Sequence, residues 1–334
     1  MSIEQRNSVS LWTDLAERAL QGDLITKEEA LHVLNTPDEE LLPLLYAAYQ
    51  VRKHYYGNKV KLNMIINAKS GLCPEDCGYC SQSIVSTAPV EKYSLLDKDT
   101  LVAGAREAMN RKAGTYCIVA SGRGATDREI DQVIDAVREI KADMPLKICC
   151  CLGIISEEKA QRLAEVGVER YNHNLNTSAG HHGNITSTHT YDDRVATVEK
   201  VKAAGISPCS GAIIGMGETH EDIYDIAVSL RVLDADSIPV NFLHAIPGTP
   251  LEGMKELNPR FCLKVLALFR FINPTKEIRI SGGREVNLRS LQPFGLYAAN
   301  SIFVGDYLTT SGQDVTDDHK LIEDLGFEIE LCAL

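Results

Sequence analysis

A (β/α)8 barrel of the TIM type, preceded by a helical extension, is the fold that this sequence predicts. From Val60 onward, short apolar or β-branched runs alternate with amphipathic segments of helical period. There are eight such runs, and eight is the number of parallel strands that closes a barrel. An open doubly wound sheet of similar length is the competing architecture.

The runs that we expect to form strands are residues 60–67, 115–120, 146–151, 169–174, 207–213, 238–244, 277–281 and 301–304. The segments that we expect to form helices between them are 97–112, 127–142, 156–166, 192–204, 218–234, 259–272 and 284–299. Gly114, Gly167 and Gly205 come just after three of these helices, where a left-handed cap is favoured.

The chain is expected to divide into three parts. Leucine and alanine recur at helical spacing between residues 8 and 56, which indicates an N-terminal helical extension over 1–57. The barrel is expected over 58–310, and a C-terminal extension over 311–334. No low-complexity linker interrupts the barrel region.

Composition excludes several classes of partner. The 34 basic and 46 acidic residues give a net charge of −12, which repels phosphate backbones and argues against nucleic acid. The longest nearly uncharged runs, such as 212–217, are too short to cross a bilayer, so no membrane association is expected. The N-terminus carries Glu4 and no apolar stretch, so we expect no secretory signal. Ten cysteines in such a chain indicate a cytoplasmic protein that binds metal rather than a disulfide framework.

The most specific motif is a loop that contains Cys73, Cys77 and Cys80, which we call the loop set. Thiolates at this spacing can surround one soft metal centre, such as an iron–sulfur cluster, zinc or copper(I). A cubane cluster needs four ligands, so either a fourth cysteine comes from elsewhere or one iron stays open to a ligand that is not protein. The loop follows the first strand, at the face where barrels carry their function.

Further cysteines lie inside predicted strands. Cys117 and Cys209 each lie in one strand, and three consecutive cysteines lie in another. In that run Cys149 and Cys151 share a face, and Cys150 points the other way. Cysteines from separate strands that point into one barrel can hold a second cluster, or they can be small core side chains.

Arg279 is unusual for a barrel strand. It alternates with Ile278 and Ile280, so it projects into the barrel if the isoleucines pack outward against helices. A buried guanidinium is costly unless it is paired or hydrogen-bonded. The residues alone leave two interpretations open: Arg279 belongs to a second metal site, or it pairs with a carboxylate in the core.

The CxxxCxxC motif, with Tyr79 before its last cysteine, is the signature of the radical S-adenosylmethionine (AdoMet) enzymes. Within that superfamily the chain resembles the biotin synthase family over about Leu62 to Thr310. The matching stretches are CPEDCGYCSQS, YNHNL, CSGAIIGMGET, IPVNFL, RISGGRE and ANSIFVGDYLTT.

The resemblance implies two iron–sulfur clusters. The loop set would hold a [4Fe–4S] cluster whose open iron is chelated by the amino and carboxylate groups of AdoMet. The ligands implied for a [2Fe–2S] cluster are Cys117, Cys149, Cys209 and Arg279. The family pattern C-x-x-L-G selects Cys149 over Cys151.

The resemblance also implies contacts for AdoMet and for the substrate, dethiobiotin. The residues implied for AdoMet are Tyr79, Asn174, Asn176, Ile213 and Met216. The residues implied for dethiobiotin are Asn174, Asn241, Thr309 and Thr310. The commoner family pattern has an acidic residue where Asn176 stands, but an amide can also bond a hydroxyl. For His173 we expect a packing role rather than acid–base catalysis.

The implied reaction is the insertion of sulfur into dethiobiotin to form biotin. One electron would cleave AdoMet to a 5′-deoxyadenosyl radical, which takes hydrogen from an unactivated carbon, and a [2Fe–2S] sulfide would trap that carbon. No side chain is expected to act as a catalyst. The partners implied are a flavodoxin or ferredoxin, iron–sulfur assembly proteins and a second copy of the chain in a homodimer. The alternatives are another radical AdoMet enzyme of sulfur insertion or cofactor maturation, and a zinc-binding scaffold.

Overall fold

The computed structural model describes residues 8–255 and 257–331. Its N-terminal part is helical, as predicted, and consists of α1 (Ser8–Gln21), α2 (Lys27–Leu34) and α3 (Leu41–Tyr56). Helix α2 begins with a capping box, in which the Thr26 hydroxyl accepts from the Glu29 amide and the Glu29 carboxylate accepts from the Thr26 amide.

Parallel strands form the centre of the molecule. The strands are β1 (Lys59–Lys69), β2 (Thr115–Ala120), β3 (Lys147–Cys151), β4 (Arg170–Asn172), β5 (Ser207–Cys209), β6 (Ala212–Ile214), β7 (Ser237–Phe242), β8 (Glu277–Ile280), β9 (Ser301–Phe303) and β10 (Glu328–Ile329). Strand β1 pairs in parallel with both β2 and β9, which closes the sheet into a barrel. The predicted (β/α)8 barrel is therefore confirmed, and the open doubly wound sheet is wrong.

One position of the barrel is made of two short strands. Strands β5 and β6 both pair with β7, and Ser210 and Gly211 interrupt them where a single strand over 207–213 was predicted. A side chain at Gly211 would overlap the carbonyl oxygen of Pro239 on β7. The break therefore lies where two backbones approach too closely for any residue other than glycine.

Helices surround the barrel. The remaining helices are α4 (Lys98–Asn110), α5 (Asp127–Asp143), α6 (Glu157–Glu165), α7 (Tyr191–Ala203), α8 (His220–Val232), α9 (Pro259–Ile272), α10 (Arg284–Leu288), α11 (Gln292–Gly295) and α12 (Val315–Asp324). Nearly all of α9 is buried because α1, α2 and α3 cover its outer side.

The single helix predicted over 284–299 is wrong. Helix α10 ends at Leu288, and Arg289 follows in the left-handed region with a φ of 51°. A left-handed residue ends a helix, and Pro293, which has no N–H to donate, is favoured only at the start of the next helix. The chain therefore forms two short helices joined by a 3-10 turn. No helix among the described residues is long and apolar enough to span a membrane.

Candidate active site

A cavity of about 380 Å³ lies at the carboxyl ends of the barrel strands. The predicted site residues that line it are Cys73, Cys77, Tyr79, Cys80, Asn174, Asn176, Ile213, Asn241 and Thr310. Of the residues predicted for AdoMet and dethiobiotin, two lie outside its lining. Met216 is buried and its amide donates to Glu218, 2.7 Å away, and Thr309 is bonded to Ser81 at 2.8 Å.

The loop that carries the loop set has almost no regular secondary structure and is held in place by side-chain hydrogen bonds. Asp76 accepts hydrogen bonds from the hydroxyls of Thr186 at 2.7 Å and Ser187 at 2.5 Å, and from the Ser187 amide at 2.9 Å. The Ser187 and Thr186 bonds hold the pKa of Asp76 below its ordinary value, although burial opposes them. The segment around residue 187 therefore fixes the loop between its first two cysteines.

A chain of hydrogen bonds leads from the same loop into the cavity. Glu75 bonds the His189 ring, and Arg194 donates to the other ring nitrogen at 2.6 Å and to the carbonyl of Asn174 at 2.7 Å. Since Arg194 can only donate, His189 accepts at Nε2 and carries its proton on Nδ1. Burial, assisted by Arg194, lowers the pKa of His189, which favours this neutral form.

Sequence reasoning missed Arg194. It is buried, it lines the cavity, and its Nε has no hydrogen-bond partner. The signal that could have found it is its spacing with Thr197, Val198 and Val201, which form the inward face of α7. An arginine on that face points at the barrel mouth rather than at solvent.

Asn176 joins three elements at the side of the cavity. Its side-chain amide donates to the Tyr79 hydroxyl at 2.5 Å, its backbone amide donates to Gly211, and its carbonyl accepts from Ile213. Its φ of 71° lies in the left-handed region, which asparagine tolerates better than most residues. The backbone conformation at this position therefore favours asparagine, independently of any ligand that the side chain binds.

Three cysteines from strands β2, β3 and β5 lie buried below the cavity: Cys117, Cys149 and Cys209, which we call the deep set. Cys149 lies beside Cys117 in the β2–β3 register, and this contact, together with burial, raises the pKa of the Cys149 thiol. The contact with Cys149, together with burial, raises the pKa of the Cys209 thiol. Cys150 points into the hydrophobic core, and Cys151 lines the cavity above. No group of three or more His, Cys, Asp or Glu side chains in the described chain is preformed around a single metal ion.

Arg279 pairs with a carboxylate, as one of the two interpretations of the sequence predicted, and it also contacts a cysteine of the deep set. Its Nη1 lies 3.9 Å from the sulfur of Cys209, and its Nη2 donates to the Glu277 carboxylate at 2.7 Å. It therefore projects into the barrel, contacts the deep set and pairs with a buried carboxylate at the same time.

Glu277 forms ion pairs with more than one cationic side chain. Arg170 lies 2.9 Å from its second oxygen and Lys61 lies 3.4 Å away, at the edge of the barrel interior. Burial alone would raise the pKa of Glu277, but Arg170, Arg279 and Lys61 hold it well below its ordinary value. Sequence reasoning missed Glu277 and Arg170, although Glu277 lies two residues from Arg279 and so shares its face.

The asparagine side chains at the cavity differ in the hydrogen bonds that they already make. Asn172 donates to Asn174 at 3.1 Å and to the sulfur of Cys209 at 3.2 Å, so it links the cavity to the deep set. Asn241 donates to the Ala212 carbonyl and accepts from the Gly282 amide, both at 3.0 Å.

His173 is buried, its Nε2 has no hydrogen-bond partner, and burial lowers its pKa well below the ordinary value.

Comparison with known proteins agrees with this arrangement. Residues 69–230 match the radical SAM superfamily, and residues 239–328 match the biotin and thiamin synthesis associated domain. The biotin synthase of Bacillus subtilis is 68% identical over 96% of this chain and 95% of its own length. That of Geobacillus kaustophilus is 70% identical over 96% of both chains. The chain belongs to the biotin synthase family. Biotin synthases are radical AdoMet sulfurtransferases, so AdoMet and a [4Fe–4S] cluster are implied for this chain.

Solved structures show the same fold in more distant proteins. Methylornithine synthase superposes with a TM-score of 0.82 at 20% identity, over 95% of this chain and 97% of that one. The FeFe-hydrogenase maturase HydG from Carboxydothermus hydrogenoformans superposes with a TM-score of 0.80 at 15% identity, over 97% of this chain and 80% of its own. Proteins with different functions therefore share the barrel, and the assignment to biotin synthases rests on sequence.

Proposed function

We propose that this chain converts dethiobiotin to biotin, with a [4Fe–4S] cluster on the loop set and a [2Fe–2S] cluster on the deep set and Arg279. The observation that carries the proposal is that two cysteine sets lie in one barrel, one at the cavity and one beneath it. Asn172 bonds both Cys209 and Asn174, and Asn174 lines the cavity together with the loop set. A substrate in the cavity would therefore lie between the source of the radical and the source of the sulfur.

The residues of the deep set fit an anionic, sulfur-ligated group. Three buried thiols lie beside two buried guanidinium groups, those of Arg170 and Arg279, which share one carboxylate. A buried positive charge without a counterion is costly. Thiolates bound to iron would supply the missing negative charge.

When bound, the two clusters and AdoMet supply the radical and the sulfur atom; the protein positions them and excludes water. We assign Tyr79 and Asn176 to the adenosyl group, with Ile213 as an apolar contact. Arg194 is suited to the AdoMet carboxylate because a guanidinium binds carboxylates through two parallel bonds and its Nε has no other partner.

For dethiobiotin we assign the amides of Asn174 and Asn241 to the ureido ring, with Asn172 as a further candidate. Asn241 already bonds backbone groups on both sides, so its position is fixed and one N–H and one lone pair are left for a ligand. Thr310 and, just outside the lining, Thr309 are candidates for the substrate carboxylate. We further propose a cytoplasmic homodimer that takes its electron from a flavodoxin or ferredoxin and its [2Fe–2S] cluster from iron–sulfur assembly proteins.

An anaerobic assay with AdoMet, a reductant and dethiobiotin tests the proposed function. We expect both biotin and 5′-deoxyadenosine to form. Deoxyadenosine without biotin would contradict the assignment to dethiobiotin while keeping the chain among radical AdoMet enzymes. The Arg194→Gln variant is expected to need a higher AdoMet concentration for half-maximal rate than the wild type.

Three serine variants test which cysteine of the run on β3 serves the deep set. Cys149→Ser is expected to lose the visible absorption and the iron and sulfide of the [2Fe–2S] cluster. Cys150→Ser is the matched control, since it changes the same atom on the opposite face of the same strand. Loss of the cluster in Cys151→Ser but not in Cys149→Ser would show that the ligand assignment is wrong.

A further inference from the structure

Beside the deep set lies a buried ionic group made of Arg170, Glu277 and Arg279, which we call the floor triad. Arg279 is 1% exposed, Glu277 3% and Arg170 8%. Glu277 and Arg279 are two residues apart on β8 and so point to the same face. Arg170 on β4 lies beside Cys149 in the β3–β4 register. The triad therefore lies alongside the cysteines, with Arg170 next to Cys149 and Arg279 next to Cys209.

Glu277 fixes how Arg279 presents its guanidinium. Nη2 of Arg279 donates to Glu277 at 2.7 Å and to the Ser237 hydroxyl at 2.8 Å, and its Nε donates to Ser301 at 3.3 Å. These bonds occupy the side of the guanidinium that faces away from the cysteines. Only Nη1, 3.9 Å from Cys209, is left to face the sulfur.

The triad also sets the charge next to the deep set. Its two guanidinium groups and one carboxylate sum to one excess positive charge in a region closed to solvent. Lys61 is more exposed, and it is shared with Glu330 at 3.7 Å. Charges at this depth are weakly screened, so removing one of them changes the potential at the cysteines, whereas the same change on the surface is screened by water and salt.

We propose that Glu277 is a positioning residue for the deep set: it holds Arg279 against Cys209 and, with Arg170, tunes the reduction potential of the cluster bound there. The inference rests on the proposed [2Fe–2S] site. Net charge and hydrogen bonds to the sulfurs are among the properties that set the potential of an iron–sulfur cluster. Glu277 and Arg170 carry opposite charges, so their removal should act in opposite directions.

The test is an anaerobic redox titration of the [2Fe–2S] absorption in the wild type, Glu277→Gln and Arg170→Gln. Loss of the carboxylate is expected to shift the midpoint potential to more positive values, and loss of the guanidinium to more negative ones. Glu328→Gln and Lys59→Gln are matched controls, since these residues form an exposed ion pair on β10 and β1. Both controls are expected to leave the potential unchanged.

Opposite shifts in the two floor variants, with none in the controls, support the inference. Potentials that match the wild type overturn it. Shifts in the same direction also overturn it, because they would come from loosened packing, which does not depend on the sign of the charge removed. If Glu277→Gln assembles no cluster, the Arg170→Gln variant decides: a more negative potential supports the inference, and an unchanged or more positive potential overturns it. A wild type that takes up no [2Fe–2S] cluster refutes the proposed site itself and the inference with it.

Discussion

The ion pair between Arg284 and Asp318 predicts a large loss of stability when Asp318 is replaced by asparagine. The guanidinium bonds both carboxylate oxygens, at 2.7 and 3.1 Å, and the two side chains are 2% and 0% exposed. Asparagine keeps the shape of the side chain but removes its charge, so Arg284 keeps only the more exposed Glu285 carboxylate, at 3.1 Å from one nitrogen, as a counterion. Breaking a buried pair in this way costs about 3–5 kcal/mol.

The measurement is urea unfolding of the cluster-free protein, followed by far-UV circular dichroism. With a slope of about 3 kcal/mol per molar urea, the expected loss lowers the unfolding midpoint by about 1 M or more. The matched control is Asp143→Asn, because Asp143 pairs with Arg106 at 3.8 Å with both side chains more than half exposed. An exposed pair of this kind contributes about 0.5 kcal/mol or less.

A double variant separates the charge effect from loss of packing. Arg284→Met combined with Asp318→Leu removes both charges, and apolar replacement of a buried pair is often neutral. We therefore expect the double variant to be more stable than Asp318→Asn. A midpoint for Asp318→Asn equal to that of Asp143→Asn would refute the reasoning, because it would mean that Glu285 or water compensates fully for the lost charge.

The remaining predictions concern a helix cap and a glycine. Burial raises the pKa of Glu29, but Arg18, together with the capping bonds, holds it below the ordinary 4.5. Glu29→Gln is therefore expected to lower the free energy of unfolding by about 1 kcal/mol above pH 4.5, and the difference should shrink as the pH falls below it, in urea titrations at several pH values. Gly211→Ala is expected to destabilise the protein by about 1–3 kcal/mol and to weaken AdoMet binding, since the new methyl group overlaps Pro239. Gly183→Ala, where the added carbon meets nothing within 4 Å, should behave as wild type in both thermal unfolding and AdoMet titration.

The barrel could be predicted from sequence because its signals are local. Apolar runs and helical periods repeat along the chain, and the CxxxCxxC loop is contiguous. The left-handed cap expected at Gly114 is wrong, because Lys112 takes that conformation with a φ of 58°. Two further errors arose from tertiary contacts that no local pattern records. The strand over 207–213 is interrupted because Gly211 approaches β7, and the helix over 284–299 is divided at Arg289, whose left-handed backbone depends on its surroundings.

Sequence reasoning identified the candidate site residues that lie in recognisable motifs. Arg194 lies on a helix outside any quoted motif, and Arg170 precedes YNHNL by a single residue. Their importance comes from what they face, namely the cavity and the Glu277 carboxylate. The helical spacing of Arg194 could show that it faces inward, but no local pattern shows which groups either arginine meets, because those partners come from elements far along the chain.

The pairing of β1 with the last strands has a consequence for how the chain is made. The Asn63 side chain bonds Ser301, 238 residues away, and Lys59 bonds Glu328, 269 residues away. Contacts this distant in sequence slow folding, because a long loop must close before they form. During synthesis, one edge of β1 stays without its partner until nearly the whole chain has left the ribosome. The cysteine loop begins just after that strand, so its thiols are expected to need protection from oxidation and stray metals before the barrel closes.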